Sequence, residues 1–300
     1  MYVSQNFGHY QFLFAMSQEK KKMEIGVLAP LRKNRDSFAP LLQYGVKAAQ
    51  ALSWDMELIR DLEYAETVKQ QIADAGIRLA GFWGGYSGRI VWNSFGGPNT
   101  CGLVPRDLRE RRVTELKYGA DFAKAIGAPA LITHCGFIPE NPMDPLYPET
   151  LNAIYDVAKH CHALGIGFWF ESGQETPLTL LRTIEDLALP NLGVNLDTAN
   201  LILYGRGNPV DALWVLGKYV RNLHIKDGVF PTNGHELGKE VPVGKGRVDF
   251  EQIIKMLYGL EFTGELTIER EISGEQQIKD ILNAKTYLEQ LLQKYAPAAE

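Results

Sequence analysis

Residues 167–197 read GFWFESGQETPLTLLRTIEDLALPNLGVNLD. A short aromatic run, Gly167 to Glu171, stops at a carboxylate. A proline then opens an amphipathic stretch, Pro177 to Leu187, and a second apolar run, Gly193 to Asp197, stops at another carboxylate. Strand, helix and strand in this order make a βαβ unit, because parallel neighbours in a sheet need a long crossover and a helix supplies it. Proline suits the start of such a helix, where its missing N–H would have had no partner.

The same alternation extends in both directions. Toward the N-terminus the candidate strands are Met23 to Leu28, Ala49 to Trp54, Ile77 to Trp83 and Ala130 to His134. Toward the C-terminus they are Asn222 to His224, with its lead-in Tyr219 to Arg221, and Glu265 to Glu269. Between them lie helical patterns at Arg106 to Ile126, Pro148 to Leu164, Pro209 to Leu216, Phe250 to Leu257 and Gln276 to Gln293. Leu108, Val113, Leu116, Phe122, Ala123 and Ile126 recur at helical spacing in the first of these. Eight strands with intervening helices predict an α/β fold, a single (β/α)8 TIM barrel spanning residues 23–300, close to the roughly 250 residues such barrels need. Residues 1–22 are expected to form a peripheral extension, with Met16 or Met23 as alternative starts. Its apolar run, Phe12 to Met16, precedes the cluster Lys20 to Lys22, the reverse of the order in a secretory signal.

Composition narrows the partners. Thirty-one Lys and Arg against 36 Asp and Glu, a formal charge of -5, give no electrostatic basis for nucleic-acid binding. No run approaches the roughly 20 apolar residues that span a bilayer, so no membrane partner is expected. Three cysteines without CxxC spacing argue against a disulfide framework or thiolate zinc site and point to a reducing, cytoplasmic setting. A small metabolite remains as the partner.

The chemistry lies where strands five to eight end. Phe168-Trp169-Phe170-Glu171, Val194-Asn195-Leu196-Asp197, Asn222-Leu223-His224 and Leu266-Thr267-Ile268-Glu269 each run apolar and stop at a residue able to ligate a metal. In a barrel these ends converge at one mouth. Three carboxylates there would repel one another unless a cation neutralised them. A lone acidic residue at a strand end is commonly a loop cap or surface ion pair, but four such positions in consecutive strands favour a shared ion. Three oxygens and one imidazole suit a divalent metal: Mn2+ is expected, and Mg2+, Co2+ or Zn2+ are compatible.

With the surrounding Asn195-Leu196-Asp197-Thr198, Asn222-Leu223-His224-Ile225-Lys226-Asp227 and Val243-Gly244-Lys245-Gly246-Arg247-Val248-Asp249-Phe250, these residues resemble the xylose isomerase-like TIM barrel superfamily, in particular its sugar phosphate isomerase/epimerase branch, over about residues 23–290. That group includes ketose 3-epimerases, hydroxypyruvate isomerases, inosose dehydratases and zinc-dependent apurinic endonucleases. The resemblance implies that Glu171, Asp197, His224 and Glu269 ligate the metal and that Glu171 and Glu269 act as acid and base on a sugar-like substrate. Many ketose 3-epimerases carry a His three residues after the strand-six Asp and an Arg about six after the strand-seven His; here Asn200 and Phe230 stand there. With six histidines in all, the chain lacks the extra ligands of the three-zinc endonucleases.

Four further residues are candidate substrate contacts. His134 ends strand four and can bind a hydroxyl, or sit as a satisfied core histidine. Lys226 can reach substrate, or pair with Asp227 or Asp197. Trp83 can wall a sugar ring or simply pack, and Asn200 occupies the position where related epimerases have His. Asp227, before Gly228, reads as a turn former. The long connections Gly84 to Pro105 and Val229 to Arg247 follow strands on the expected active face, and His235 and Glu236 in the second can close over ligand or remain solvated. Gly244-Lys245-Gly246 lacks the context of a phosphate loop and reads as a turn, and Arg206-Gly207-Asn208-Pro209 reads as a loop with no phosphate grip. The expected activity is isomerisation or epimerisation through an enediolate. A dehydratase of a cyclic keto-polyol and a non-catalytic sugar-binding barrel are the alternatives, and a homo-oligomer is compatible with the barrel.

Overall fold

In the computed structural model, residues 22–297 are described. In chain order the strands are β1 (Glu24–Pro30), β2 (Ala48–Ser53), β3 (Arg78–Gly84), β4 (Ala130–Thr133), β5 (Gly167–Glu171), β6 (Leu192–Asp197), β7 (Val220–Ile225), β8 (Asp227–Val229), β9 (Lys239–Val241) and β10 (Glu265–Ile268). Eight of them close a parallel barrel in the order β1-β10-β7-β6-β5-β4-β3-β2, while β8 and β9 pair antiparallel as a separate hairpin. The chain is therefore a single (β/α)8 barrel. The expected extension, apart from Lys22, lies outside the described residues.

The helices that cover the barrel are α1 (Met56–Arg60), α2 (Leu62–Ala75), α3 (Arg106–Ala125), α4 (Leu146–Ala163), α5 (Pro177–Leu187), α6 (Asn200–Leu203), α7 (Pro209–Leu216), α8 (Phe250–Gly259) and α9 (Glu275–Tyr295). The β1–β2 connection carries a 3-10 helix, Ala39–Tyr44, instead. Side-chain caps set several starts: Asp55, Asp61, Thr176, Asn208 and Asp249 each accept a hydrogen bond from a first-turn backbone N–H. Asp55 also explains why β2 stops at Ser53 and not at the expected Trp54. Its N–H donates to Ser53 Oγ while its carboxylate caps α1, so the chain has turned before Trp54 can pair.

Outward-facing apolar side chains of the strands bury against the helices, which is why β6 is buried along its whole length. The interior is polar in its middle layer. Asn222 Nδ2 donates to Asn195 Oδ1 at 2.6 Å, Thr267 Oγ1 donates to Asn222 Oδ1 at 3.3 Å, and Gln50 lies beside them, all four fully buried. At the opposite rim, Arg78 at the start of β3 bridges Glu24 and Glu265 at the starts of β1 and β10.

The long Gly84–Pro105 connection is pinned from below by α3. Arg112, fully buried, donates to the carbonyls of Ser87, Thr100 and Gly102, and Glu115 accepts from the backbone N–H and hydroxyl of Ser87. The second long connection leads from β8 into β9, a hairpin that the sequence pattern did not reveal because each strand has only three residues. Asp227 organises it: its carboxylate accepts the N–H groups of Gly228, Gly244, Gly246 and Val248. The expected turn former thus opens a strand and ties down a loop nearly 20 residues further on. No helix of the described residues is long and apolar enough to cross a membrane.

Candidate metal and substrate site

Glu171 and Asp197 are the last residues of β5 and β6, His224 sits one residue before the end of β7, and Glu269 is the first residue after β10. Parallel register brings them together: Asp197 pairs directly with His224, and Thr267, two residues before Glu269, pairs with His224 from the other side. Each of the four offers a ligand atom, and all these atoms lie within 4.8 Å of one another.

His224 Nδ1 stands 3.1 Å from Glu171 Oε1, 3.1 Å from Glu269 Oε2 and 3.9 Å from Asp197 Oδ2. Its Nε2 lies 2.6 Å from Gln50 Oε1. A carboxamide oxygen can only accept, so Nε2 carries hydrogen and Nδ1 faces the carboxylates. Asp197 is likewise polarised: Oδ1 accepts from the backbone N–H of Ala199 and Asn200 at 2.8 and 2.7 Å, which leaves Oδ2 turned to the cluster.

The electrostatics are those of a cation-seeking site. Burial alone would lower His224, but the facing Glu171 and Glu269 carboxylates hold it well above the ordinary imidazole range. Burial pushes Asp197 well up, reinforced by Glu269 and Glu171. Glu171 and Glu269 are held down against burial, the first by His224 and His134, the second by Lys226 and His224. Protons favoured on His224 and Asp197 thus offset part of the negative charge of the three carboxylates, and one divalent cation would bring the same two positive charges. Asp197 Oδ2 and Glu269 Oε2 are buried without a hydrogen-bond partner. Orphaned carboxylate oxygens facing a common point, with one imidazole nitrogen, fit a divalent metal.

Around this cluster lies a cavity of about 320 Å3, at the small end of the range for ligand sites. His134 falls just past β4, since Thr133 ends the strand by donating to the carbonyl of Gly84. His134 Nδ1 meets the Glu171 carbonyl at 3.2 Å, and its Nε2 turns to Glu171 Oε1 at 3.6 Å. Burial lowers its pKa, which favours the neutral ring. Trp83 does more than wall the cavity: its indole N–H donates to Glu171 Oε2. Asn200 Nδ2 reaches Glu171 Oε1 at 3.4 Å and its Oδ1 accepts from Lys226 Nζ at 3.3 Å. Lys226, buried, lies 3.5 Å from Glu269 and 3.8 Å from Asp197, and does not pair with Asp227. All eight residues singled out from sequence are therefore in one place. His235 and Glu236 are exposed, although His235 meets Phe95 of the other long loop edge-on at 5.2 Å. Phe230 is exposed and outside the cavity lining.

Several site residues escaped sequence reading. Gln50 is the lone polar residue in Ala48-Ala49-Gln50-Ala51-Leu52, a signal that was there to use. Glu271, whose carboxylate accepts from Lys226 Nζ at 2.6 Å, follows Glu269 by two and so lies on the same side of an extended chain. Trp54 and Trp92 come from loops and carried no such signal; Trp54 meets Trp83 in a tilted contact at 4.7 Å, and Trp92 meets His134 at 5.4 Å.

Comparison with known proteins places this geometry in context. A family profile described as "Xylose isomerase-like TIM barrel" matches residues 38–292. The crystal structure of a xylose isomerase domain protein from Planctomyces limnophilus superposes with a TM-score of 0.84 at 35% identity, covering 92% of this chain and 99% of that one. A xylose isomerase-like TIM barrel protein from Mycobacterium smegmatis, in complex with magnesium, shares the fold with a TM-score of 0.67 at 18% identity over 93% of this chain and 99% of its own. A protein of Escherichia coli (strain K12) named "Putative L-ribulose-5-phosphate 3-epimerase SgbU" is 30% identical over 113 residues, so the match spans 37% of this chain and 39% of that protein.

Proposed function

The chain belongs to the xylose isomerase-like TIM barrel family, and we propose on that basis that it is a divalent-metal-dependent isomerase or epimerase that moves a proton beside the carbonyl of a sugar or related keto-polyol or keto-acid. The observation that carries this reading is the placement of Glu171 and Glu269, which approach one imidazole nitrogen at 3.1 Å from different sides of the barrel mouth. Relatives named as sugar epimerases lend it support.

Glu171, Asp197, His224 and Glu269 would hold the metal, for which this donor set makes Mn2+ the proposed ion. When bound, the metal supplies Lewis-acid polarisation of the substrate carbonyl and the adjacent hydroxyl. One glutamate removes the proton from the carbon next to the carbonyl, and the second returns a proton from the other face or at the neighbouring carbon. Trp83 steadies the charged form of Glu171 through its N–H. Neutral His134 presents Nε2 to accept a substrate hydroxyl, and Asn200 ties Glu171 to Lys226, whose ammonium offsets negative charge developing on the enediolate oxygen. Three buried free cysteines support a reducing, cytoplasmic setting.

The test is a screen of ketoses, keto-acids and inososes with the Mn2+-loaded protein in deuterated water, read by mass. Deuterium gain without loss of mass supports isomerisation or epimerisation, whereas loss of one water would replace this reading with a dehydratase. Glu269→Gln should keep the fold and abolish exchange. Exchange retained in that variant would refute the role assigned to Glu269.

A further inference from the structure

We propose that the substrate of this site is an uncharged, unphosphorylated keto sugar of monosaccharide size, seated with an apolar face against Trp54 and Trp92. This rests on the sugar isomerase reading above and deepens it.

Charge in the cavity disfavours a phosphate. Among the described residues lining the cavity, Lys226 is the one ammonium, and there is no guanidinium. Its Nζ already has Asp197, Glu269 and Glu271 at 3.8, 3.5 and 2.6 Å. Arg270, next in sequence to Glu269, is engaged elsewhere, with Glu240 and Asp280 at 2.9 and 2.8 Å. Four carboxylates, of Glu171, Asp197, Glu269 and Glu271, outnumber the two charges of a divalent cation and the one of Lys226. A phosphate dianion would meet net repulsion without a fork of donors to replace its water.

The backbone offers no free anion cradle at the nearby glycine turn. Gly244-Lys245-Gly246 is the glycine turn nearest in character to an anion cradle, but its inward N–H groups are taken. The amides of Gly244 and Gly246 donate to Asp227 Oδ2 at 2.9 and 2.8 Å, so the protein's own carboxylate fills the position a phosphate oxygen would need.

The shape of the cavity suits an apolar sugar face. Trp54 lies against Trp83 at 4.7 Å and Trp92 at 5.9 Å, and Leu52, Leu203 and Leu237 continue the apolar lining. Aromatic faces of this kind match the C–H face of a sugar, not a solvated anion. Arg32 and Lys33 line a separate recess that shares Leu52 and Trp54 with the cavity, so these cations belong to its neighbour and not to the cavity itself.

The experiment titrates the full chain, saturated with Mg2+, with D-ribulose and its 5-phosphate and with D-fructose and its 6-phosphate, reading intrinsic tryptophan fluorescence. The free sugars should quench at concentrations at least about tenfold below their esters, a gap that narrows at high salt. Glu271→Gln should narrow that gap by improving ester binding several-fold relative to free-sugar binding, whereas Trp92→Ala should weaken both alike. Esters binding as tightly as the free sugars, or more tightly, would overturn the proposal, as would no quenching by either set. Deuterium exchange separates it from the parent reading. Selective binding of free sugars without exchange sinks the isomerase reading alone, and faster exchange with the esters sinks this one alone.

Discussion

Gln50 Oε1 lies 2.6 Å from His224 Nε2 across the inside of the barrel, and this contact aims the other imidazole nitrogen at three carboxylates. Partners of this kind hold the tautomer and ring orientation of a metal-binding histidine. Gln50→Ala is expected to weaken Mn2+ binding about 10- to 100-fold with the barrel still folded. Calorimetric titration checks it: wild-type affinity in a folded variant would show that the contact does not orient the ring.

Trp83 donates its indole N–H to Glu171 Oε2. A donor to a carboxylate favours the charged form, so removing it raises the pKa of Glu171. In Trp83→Phe the acid limb of the exchange rate against pH should move to higher pH. A limb at its original place would mean that Glu171 is not the group titrating there.

Burial raises Glu175 to about 8, with only partial relief from its own backbone N–H and Arg206. Because the folded value exceeds the unfolded one, the associated stability is fully present below the ordinary carboxylate value of about 4.5 and is lost as pH rises through about 8. Glu175→Gln should therefore flatten the decline of Tm between about pH 5 and 8, so that the variant gains on the wild type as pH rises. Parallel Tm curves across that window would contradict the assignment.

Gly102 has φ +68°, and a Cβ there would lie 1.9 Å from the carbonyl oxygen of Cys135. The long loop after β3 is seated at this close approach, just where Arg112 donates to the Gly102 carbonyl. Gly102→Ala should destabilise the protein by on the order of 2 to 4 kcal/mol, measured by urea denaturation. A variant within about 0.5 kcal/mol of wild type would show that the loop yields there freely.

How much was legible in the chain differs from element to element. The βαβ unit at 167–197 and the four candidate ligand positions at strand ends could be read because a strand buried on both faces is a short apolar run, and a polar residue closing such a run is conspicuous. Strand β2 was read one residue too far along the chain because Trp54 has high strand propensity, and what stops it is the Ser53–Asp55 contact. The helices α1 and α2 were missed where charged residues dilute the apolar face, and α6, β8 and β9 are too short to show a period. Arg112 and Glu115 look like solvent-facing positions of α3, yet they are buried because the Gly84–Pro105 loop folds back over them.

The amino-acid order alone determined the class of fold and the residue types at the ends of strands five to eight, since both follow from local hydrophobic periodicity and its interruption. Closure of the barrel decided the rest. Only that closure brings Gln50 within 2.6 Å of His224, 174 residues away, and sets Lys226 between three carboxylates. It also folds Trp54 and Trp92 over the mouth. Contacts between residues so far apart depend on register and curvature around the whole sheet, which no local pattern encodes.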